Sequence, residues 1–493
     1  MEKTTPGIAE SGLPILVLFL SLLTGALAFG FSDALLISSL LLAAIVAGAV
    51  ALRHGYGWDD IQTETGAKLA AALPAIIILL AIGILIGSWM FSGTIPALVF
   101  YGIEIISPRF IVLTAFLATA AMSLASGTSW GSAGTIGVAL MATAAALEAP
   151  LAITAGAVVS GAYFGDKMSP ISDSTNISAI GAGADLYDHI AGMVYTAGPS
   201  FVVAFAIYLI AGFSGQSGNG TGVPEAARQV QTNIASAFDL GLLPFIPPAI
   251  AVIGMVRRYP AALVILASSV TALAVGMIAN GFAAPGALKA AINGFNVEML
   301  GNTAASLSDS TKILLNRGGM ASMAFTLLFI VSAFLMAAAM EVSGALGRLL
   351  NAMLAKARSV FTLIAATMAA GATLISMTSH GGVTALIVGN LFRKPFDDMR
   401  LSRRNLSRSI EDSVTIVEPL LPWTVSAVFM ATTLGVPTVE YAPWAFFCFT
   451  GSLFSLGIAF FFRWTGFGIK TLARDQSVST RSGSDGPNQY PER

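Results

Sequence analysis

The chain is poor in charge and almost free of cysteine. Of its 493 residues only 10% are Asp, Glu, Lys or Arg, against about 25% in an ordinary soluble domain. The single Cys448 excludes an intrachain disulfide and any CxxC metal site. Three scattered histidines, His54, His189 and His380, offer no zinc-binding spacing. No GxxxxGK[S/T] loop is present, which speaks against ATP as an energy source, and no cofactor is expected. A net charge of −1 leaves no electrostatic footprint for nucleic acid. What fills the chain instead is apolar: hydrophobic residues are 55% and the mean hydropathy is +0.80. Glycine, at 50 of 493 residues, exceeds the usual ~7%, as expected where helices pack closely in lipid. The class is an all-α polytopic membrane protein in a lipid bilayer.

The first apolar run contains Ala26-Leu27-Ala28, an A-x-A pattern that a signal peptidase reads. Residues 1–12 hold Glu2, Lys3 and Glu10 rather than a basic stretch, so this run is read as an uncleaved helix. Single passes are placed at 13–30, 33–51 and 69–92. Next comes an uncharged run at 110–147, broken at Ser126-Gly127-Thr128-Ser129-Trp130-Gly131. A broken pass at 150–184 and a last pass at 194–213 follow. A polar linker, 214–238, is assigned outside the membrane. The order then repeats: passes at 239–256, 260–282 and 319–345, a run at 359–392 broken at Ser376-Met377-Thr378-Ser379-His380-Gly381-Gly382, a broken pass at 409–436 and a pass at 442–463. The two interrupted runs, 38 and 34 residues long, exceed one crossing of about 20 residues and are short for two. Each is read as a re-entrant hairpin.

The chain thus divides into a first repeat (1–213), a linker, a second repeat (239–474) and a polar, disordered tail (475–493). Each repeat has five full passes, an odd number, so the second must be inverted relative to the first, giving about 10 transmembrane helices plus two hairpins. Charge bias supports that topology. With both termini inside, 19 of the 25 Lys and Arg residues lie on the inner side, five lie outside, and Lys167 alone falls within a pass. Segments 58–68 and 286–318 precede the third pass of each half. They read either as interfacial connecting helices or as long surface loops.

The densest polar cluster within an apolar pass is Gly165-Asp166-Lys167-Met168-Ser169-Pro170-Ile171-Ser172-Asp173-Ser174-Thr175-Asn176. Pro170 removes a backbone donor and disfavours helix just before it. At membrane depth such a break is tolerated only inside protein or along a cavity. Its carbonyls and side-chain oxygens suit a hard cation such as Na⁺. Asp166 and Asp173 are the expected cation and proton site, with Ser169, Ser174, Thr175 and Asn176 as neutral ligands and Lys167 paired to one aspartate. The second half offers Glu411-Asp412 and, deeper, Glu418 before Pro419. Glu411 and Asp412 lie beside the basic loop ending at Arg408, where acids also serve as simple neutralisers. The hairpin tips bring Thr128, Ser129, Thr378 and Ser379 to the centre from opposite faces. Ser123, Gly127 and Gly131 form a small-residue row suited to close packing. His380 is a proton carrier by residue type but lacks an assigned partner.

At these segments the chain resembles the NhaC family of sodium/proton antiporters. Gly127-Thr128-Ser129-Trp130-Gly131 with Gly134-Thr135 is similar to that family's first motif. The run Gly161-Ala162-Tyr163-Phe164-Gly165-Asp166-Lys167-Met168-Ser169-Pro170, continuing through Asp173 to Asn176, resembles its most specific signature. Leu314-Leu315-Asn316-Arg317-Gly318-Gly319 and Leu406-Ser407-Arg408-Ser409 with Glu411-Asp412 look like its second-half motifs. The resemblance covers residues 70–465. It implies an ion-transporter-superfamily fold, an elevator-like movement, and a larger role for Glu411 and Asp412 than depth alone gives them. Relatives tend to carry Asn and Asp at the second tip, where this chain has Thr378-Ser379-His380-Gly381-Gly382.

These readings converge on a secondary active transporter of the inner cell membrane, both termini cytoplasmic, exchanging Na⁺ for H⁺. The alternative is a Na⁺- or H⁺-coupled carrier of small organic anions, of malate/lactate type, or of amino acids. Two neutral hydroxyl-bearing tips with a glycine pair suit a carboxylate about as well as a bare cation. An enzyme is not expected: Ser379 beside His380 is the one hint of a nucleophile and base, and neighbours on a helix point apart. Elevator carriers are often dimers, which makes a homodimer a candidate assembly, although the sequence marks no interface.

Overall fold

The computed structural model describes residues 3–213, 224–355 and 357–472. The tail at 475–493 and the linker stretch 214–223 lie outside the described residues. Among the described residues the architecture is all-helical, with one isolated antiparallel bridge, Leu401 to Thr471.

The first half contains α1 (Ile8–Phe29), α2 (Asp33–Arg53), α3 (Trp58–Phe91) and α4 (Thr94–Ile105). A hairpin follows: α5 (Ile111–Ser126), a sharp turn at 127–128, then α6 (Ser129–Ser132), a π-helical turn Ala133–Gly137 and α7 (Val138–Ala146). Next come α8 (Leu151–Met168) and α9 (Asp173–Ala182), the two parts of one broken helix, and α10 (Leu186–Phe213). Between the halves lies α11 (Glu225–Ala237). The second half runs α12 (Ile246–Val256), α13 (Ala261–Ala279), α14 (Ala284–Asn293), α15 (Asp309–Leu315), α16 (Ala324–Val342) and α17 (Ala345–Leu354). Its hairpin is α18 (Val360–Thr378) and α19 (Gly381–Asp398). Its broken helix is α20 (Arg403–Glu411), irregular turns and α21 (Val425–Leu434). The short α22 (Thr438–Tyr441) leads to α23 (Phe446–Thr465).

Nine helices among the described residues are long and apolar enough to cross a bilayer. Two are the first arms of the hairpins. The other seven, the short helix Leu243–Val256 and the two broken helices make up the ten expected passes. The structure differs from the sequence reading at the connectors. Segment 58–68 is neither loop nor separate helix but the opening of α3, whose 34 residues span about 51 Å, well beyond a ~30 Å hydrocarbon core. The cause is local: Asp60 accepts from the Gly57 N–H at 2.9 Å, capping the helix there, and Lys68 pairs with Glu341 on α16. Segment 286–318 is a string of short helices. The linker end 224–238 is mostly the amphipathic α11, with Ala227, Val230 and Ile234 buried. The short apolar α4 lies between the expected third pass and the first hairpin.

Packing sorts the helices into two groups. The first three passes of each half pack together: α2 and α3 against α16, α3 against α13 and α14, α12 against α13. The hairpins, broken helices and last passes form the second group: α5 on α8, α10 on α23, and α9 on α19 and α20. Small residues set the close contacts, since lipid supplies no hydrophobic drive between helices. A Cβ on Gly161 would lie 2.3 Å from Phe116 O, and one on Gly165 would lie 2.3 Å from Leu124 N, so α5 and α8 meet backbone to backbone. Across the halves, Gly389 of α19 meets Gly181 of α9 in the same manner, and Arg393 donates to the carbonyls of Gly181 (2.8 Å) and Ile180 (2.7 Å) at the end of α9. The outer surface is lipid-like: Leu23, Leu27 and Phe29 of α1 are exposed.

Candidate ion-exchange site

Both hairpins turn by the same device. Gly127 ends α5 in the left-handed region at φ 69°, and Ser379 ends α18 there at φ 53°. The next residue caps the returning helix: Thr128 Oγ1 accepts from the Gly131 N–H (3.2 Å), and His380 Nδ1 accepts from the Val383 N–H (3.4 Å). By backbone geometry, then, Thr128 corresponds to His380 and Ser129 to Gly381. Pairing Thr128-Ser129 with Thr378-Ser379 by residue type is two positions out of register. His380 is a capping residue. Glycine at 127 is required twice, by its φ and because a Cβ would lie 2.6 Å from Ile171 Cγ1. Serine at 379 is held in the same region by its hydroxyl, which donates to Trp423 O at 3.2 Å.

Beside tip 1 lies the break between α8 and α9. Asp166, in the last turn of α8, is buried, and two hydroxyls serve its carboxylate: Ser129 donates to one oxygen at 2.7 Å and Ser172 to the other at 2.5 Å. Such charge-assisted bonds fix the group firmly. The break itself is satisfied internally. Thr175 Oγ1 donates to the carbonyls of Asp166 (3.1 Å) and Lys167 (3.0 Å), and Asn176 Nδ2 donates to those of Pro170 (3.1 Å) and Ser172 (2.7 Å). Ser169 Oγ donates to Leu124 O at 3.0 Å. Ser169, Thr175 and Asn176, expected as neutral ligands, thus stitch the backbone of the break.

A cavity of about 370 Å³ brings the two halves together. It is lined by Thr128, Ser129 and Trp130 of tip 1, Asp166, Asp173 and Ser174 of the first break, Ser379 to Gly382 of tip 2, and Thr415, Glu418 and Ser426 of the second break. Ala71, Ala72 and Ala75 of α3 close the remaining side around Pro74, a proline inside an apolar pass. Trp130 stacks on Phe429 of α21 at 4.1 Å, tying tip 1 to the second half. Thr378 faces away from this cavity, its hydroxyl 2.6 Å from that of Thr384. Asp173 is exposed rather than enclosed: it stands at a mouth shared with a second cavity of about 640 Å³ that reaches Met255, Arg258 and Tyr259.

Lys167 does not pair with either aspartate of its own segment. It is fully buried and pairs with Asp412, also fully buried, which accepts a further bond from Thr196 Oγ1 at 3.1 Å. Lysine points away from the cavity because the next residue on a helix turns about 100° from Asp166. Glu411 is also fully buried, beside the hydroxyls of Thr415 and Ser178. Glu411 and Asp412 thus lie in the interior rather than beside a surface loop, and Arg408 is itself buried, with Asp412 as a charged neighbour.

The model of the Na⁺/H⁺ antiporter family matches residues 161–462, the stretch that begins within α8 ahead of this break and runs through the second hairpin to the last pass. The chain belongs to that family. An uncharacterised Na⁺/H⁺ antiporter of Haemophilus influenzae is 39% identical over 92% of this chain and 95% of its own. The Na⁺/H⁺ antiporter NhaC of Alkalihalophilus pseudofirmus is 34% identical over 87% and 89%. A malate-2H⁺/Na⁺-lactate antiporter of Bacillus subtilis is 29% identical over 85% and 87%. The antiporter is thus a multi-pass membrane protein of the secondary-antiport class, whose two halves both contribute to one polar cavity.

Proposed function

We propose that this antiporter exchanges Na⁺ for H⁺ across the inner membrane, with both termini cytoplasmic, and that Asp166 is the group at which the two ions alternate. The observation that carries the reading is the buried carboxylate of Asp166, oriented by Ser129 and Ser172, at a helix break facing a cavity built from both halves. A hard monovalent cation takes oxygen ligands, and carboxylate and hydroxyl oxygens line this cavity. Na⁺ and H⁺ neutralise the same carboxylate and so exclude one another. Moving the bare anion through the protein interior is costly, so the loaded forms are the ones that cross. That exclusion is the coupling. Asp173, exposed at the mouth, draws cations toward the cavity and serves as a first docking point.

The second cavity shares Pro74, Ile78, Gly127, Thr128 and Asp173 with the first, so the route to Asp166 runs past tip 1 from the side of Arg258. The charge bias assigns Arg258 to the inner face, and the site in this state is therefore open to the cytoplasm. Two packing groups, divided as three passes against hairpin, broken helix and last pass in each inverted repeat, support an elevator-like movement of the second group along the first. A homodimer is the proposed assembly.

A second reading has support of its own. Tip 2 is neutral and glycine-bearing, and one relative bears the name malate-2H⁺/Na⁺-lactate antiporter. In that case a small organic anion occupies the cavity between tip 2 and a Na⁺ at Asp166.

The test is Asp166→Asn in proteoliposomes containing a pH-sensitive dye. Na⁺-driven proton movement should fall at least 100-fold while the protein remains in the membrane at normal abundance. Asp173→Asn should raise the Na⁺ concentration needed for half-maximal rate. Normal exchange by Asp166→Asn would remove Asp166 from the mechanism.

A further inference from the structure

We propose that Glu418 is a latch on the second hairpin: its carboxylate, seated at the N-terminus of α19, holds tip 2 against the cavity until a cargo cation competes for it. The proposal rests on the exchange reading for the identity of the competing ion and on geometry for the contact itself.

The geometry follows from the register of the tips. In the first half the residue after the cap is Ser129, and its hydroxyl bridges to Asp166 at 2.7 Å. In the second half the equivalent residue is Gly381, which has no side chain to bridge with. The space is filled from the other direction: a Cβ on Gly381 would lie 2.9 Å from Glu418 Oε2. Glutamate, one methylene longer than aspartate, reaches the backbone that Ser129 meets halfway. Glu418 is 9% exposed, and what remains open faces the same cavity. Its backbone is pinned, with its N–H donating to Val414 O at 2.9 Å and its carbonyl accepting from Thr424 Oγ1 at 2.5 Å.

The contact is attractive for a general reason. The first N–H groups of a helix lack intrahelical acceptors and carry the positive end of its dipole. α19 is 18 residues long, and His380 caps only its Val383 N–H. An anion beside Gly381 is stabilised there, and the same anion is what a cation entering the cavity would seek. The carboxylate cannot serve both fully. Cargo binding at Glu418 therefore weakens the grip on α19 and frees tip 2. Each half thus places one carboxylate beside its own hairpin tip: Asp166 meets it through a serine, and Glu418, which also accepts from Ser426 of α21, lies against Gly381.

The test reads tip 2 with a cysteine. Ser379, which is buried, is changed to Cys in a chain whose only native thiol, the buried Cys448, is replaced by Ala. Labelling by a membrane-impermeant maleimide is then timed in proteoliposomes, with and without Na⁺. The latch predicts slow labelling without Na⁺ and a rise of about 5-fold with it, the scale of one charge at a helix N-terminus. Glu418→Gln should give the fast rate at all Na⁺ concentrations. Gly381→Ala, whose new methyl pushes the carboxylate aside, should do the same and add nothing on top of Glu418→Gln. Unchanged slow labelling in both Glu418→Gln and Gly381→Ala would overturn the latch, leaving Glu418 a cavity-lining group. Fast labelling in both variants with no response to Na⁺ in the parent would keep the latch and overturn Na⁺ as its competitor.

Discussion

Lys167 and Asp412 carry opposite charges on the two broken helices and meet where neither touches water. A buried ion pair offers little net stability over well-packed apolar residues, but removing one partner strands the other at a cost of about 3–5 kcal/mol. Lys167→Met should therefore lower the apparent melting temperature of the detergent-solubilised protein sharply. Lys167→Met combined with Asp412→Leu should recover most of the loss. If the double variant is no more stable than the single, the pair is not the contact that matters. At this scale the sequence was legible where chemistry is local. Asp166 and Asp173 stood out together because carboxylates flanking a proline within an apolar run have few bland explanations, and of the two the structure buries only Asp166. The partner of Lys167 was not legible, because it lies in the other half, 245 residues away. The roles of Ser169, Thr175 and Asn176 were half legible. Polar residues mark the break, but side chains that satisfy the backbone and side chains that face a cavity look alike in sequence. The register of tip 2 misled for a similar reason. Thr-Ser occurs at both tips, yet the left-handed residue is Gly127 in one and Ser379 in the other, and only the backbone reveals the correspondence.

Among the elements, the hairpins and broken helices were the most readable, because a run too long for one pass and too short for two has few solutions in lipid. The short α4 and the amphipathic α11 were missed, since 12 and 13 residues fall below a membrane pass and neither carries a strong stop signal. The start of α3 was misjudged because its charged first turns look like a surface segment, whereas Asp60 and Lys68 hold them in the helix. The contact that joins the halves at this scale is α9 on α19. A methyl on Gly389 would sit 2.2 Å from the Gly181 carbonyl, which is backbone and cannot move aside cheaply. Gly389→Ala should cost about 1–3 kcal/mol through overpacking. It should also slow exchange more than Gly198→Ala, where an added Cβ meets only Val194 Cγ1 at 4.0 Å. Equal effects at the two glycines, measured by melting temperature and initial rate, would deny α9 and α19 this role.

At the scale of the whole molecule, composition alone placed the chain in the membrane, and the repeat of element order set out the architecture in which hairpins, breaks and last passes pack as one group. If that group moves along the other, the two tips must exchange access to water. Cysteines introduced at Thr128 and Ser379, each in the chain lacking Cys448, should change their labelling by an impermeant thiol reagent in opposite senses when Na⁺ replaces K⁺; parallel changes would argue against opposed hairpins. What composition and pattern could not reveal is the cargo, because one cavity of hydroxyls and carboxylates serves a bare cation and a cation with an organic anion alike. The central claim is that Na⁺ and H⁺ alone suffice. Purified protein in liposomes with an internal pH-sensitive dye should give a proton signal on addition of Na⁺ with no other solute present, and none with K⁺. Silence with Na⁺, followed by a signal once malate, lactate or an amino acid is added, would contradict it.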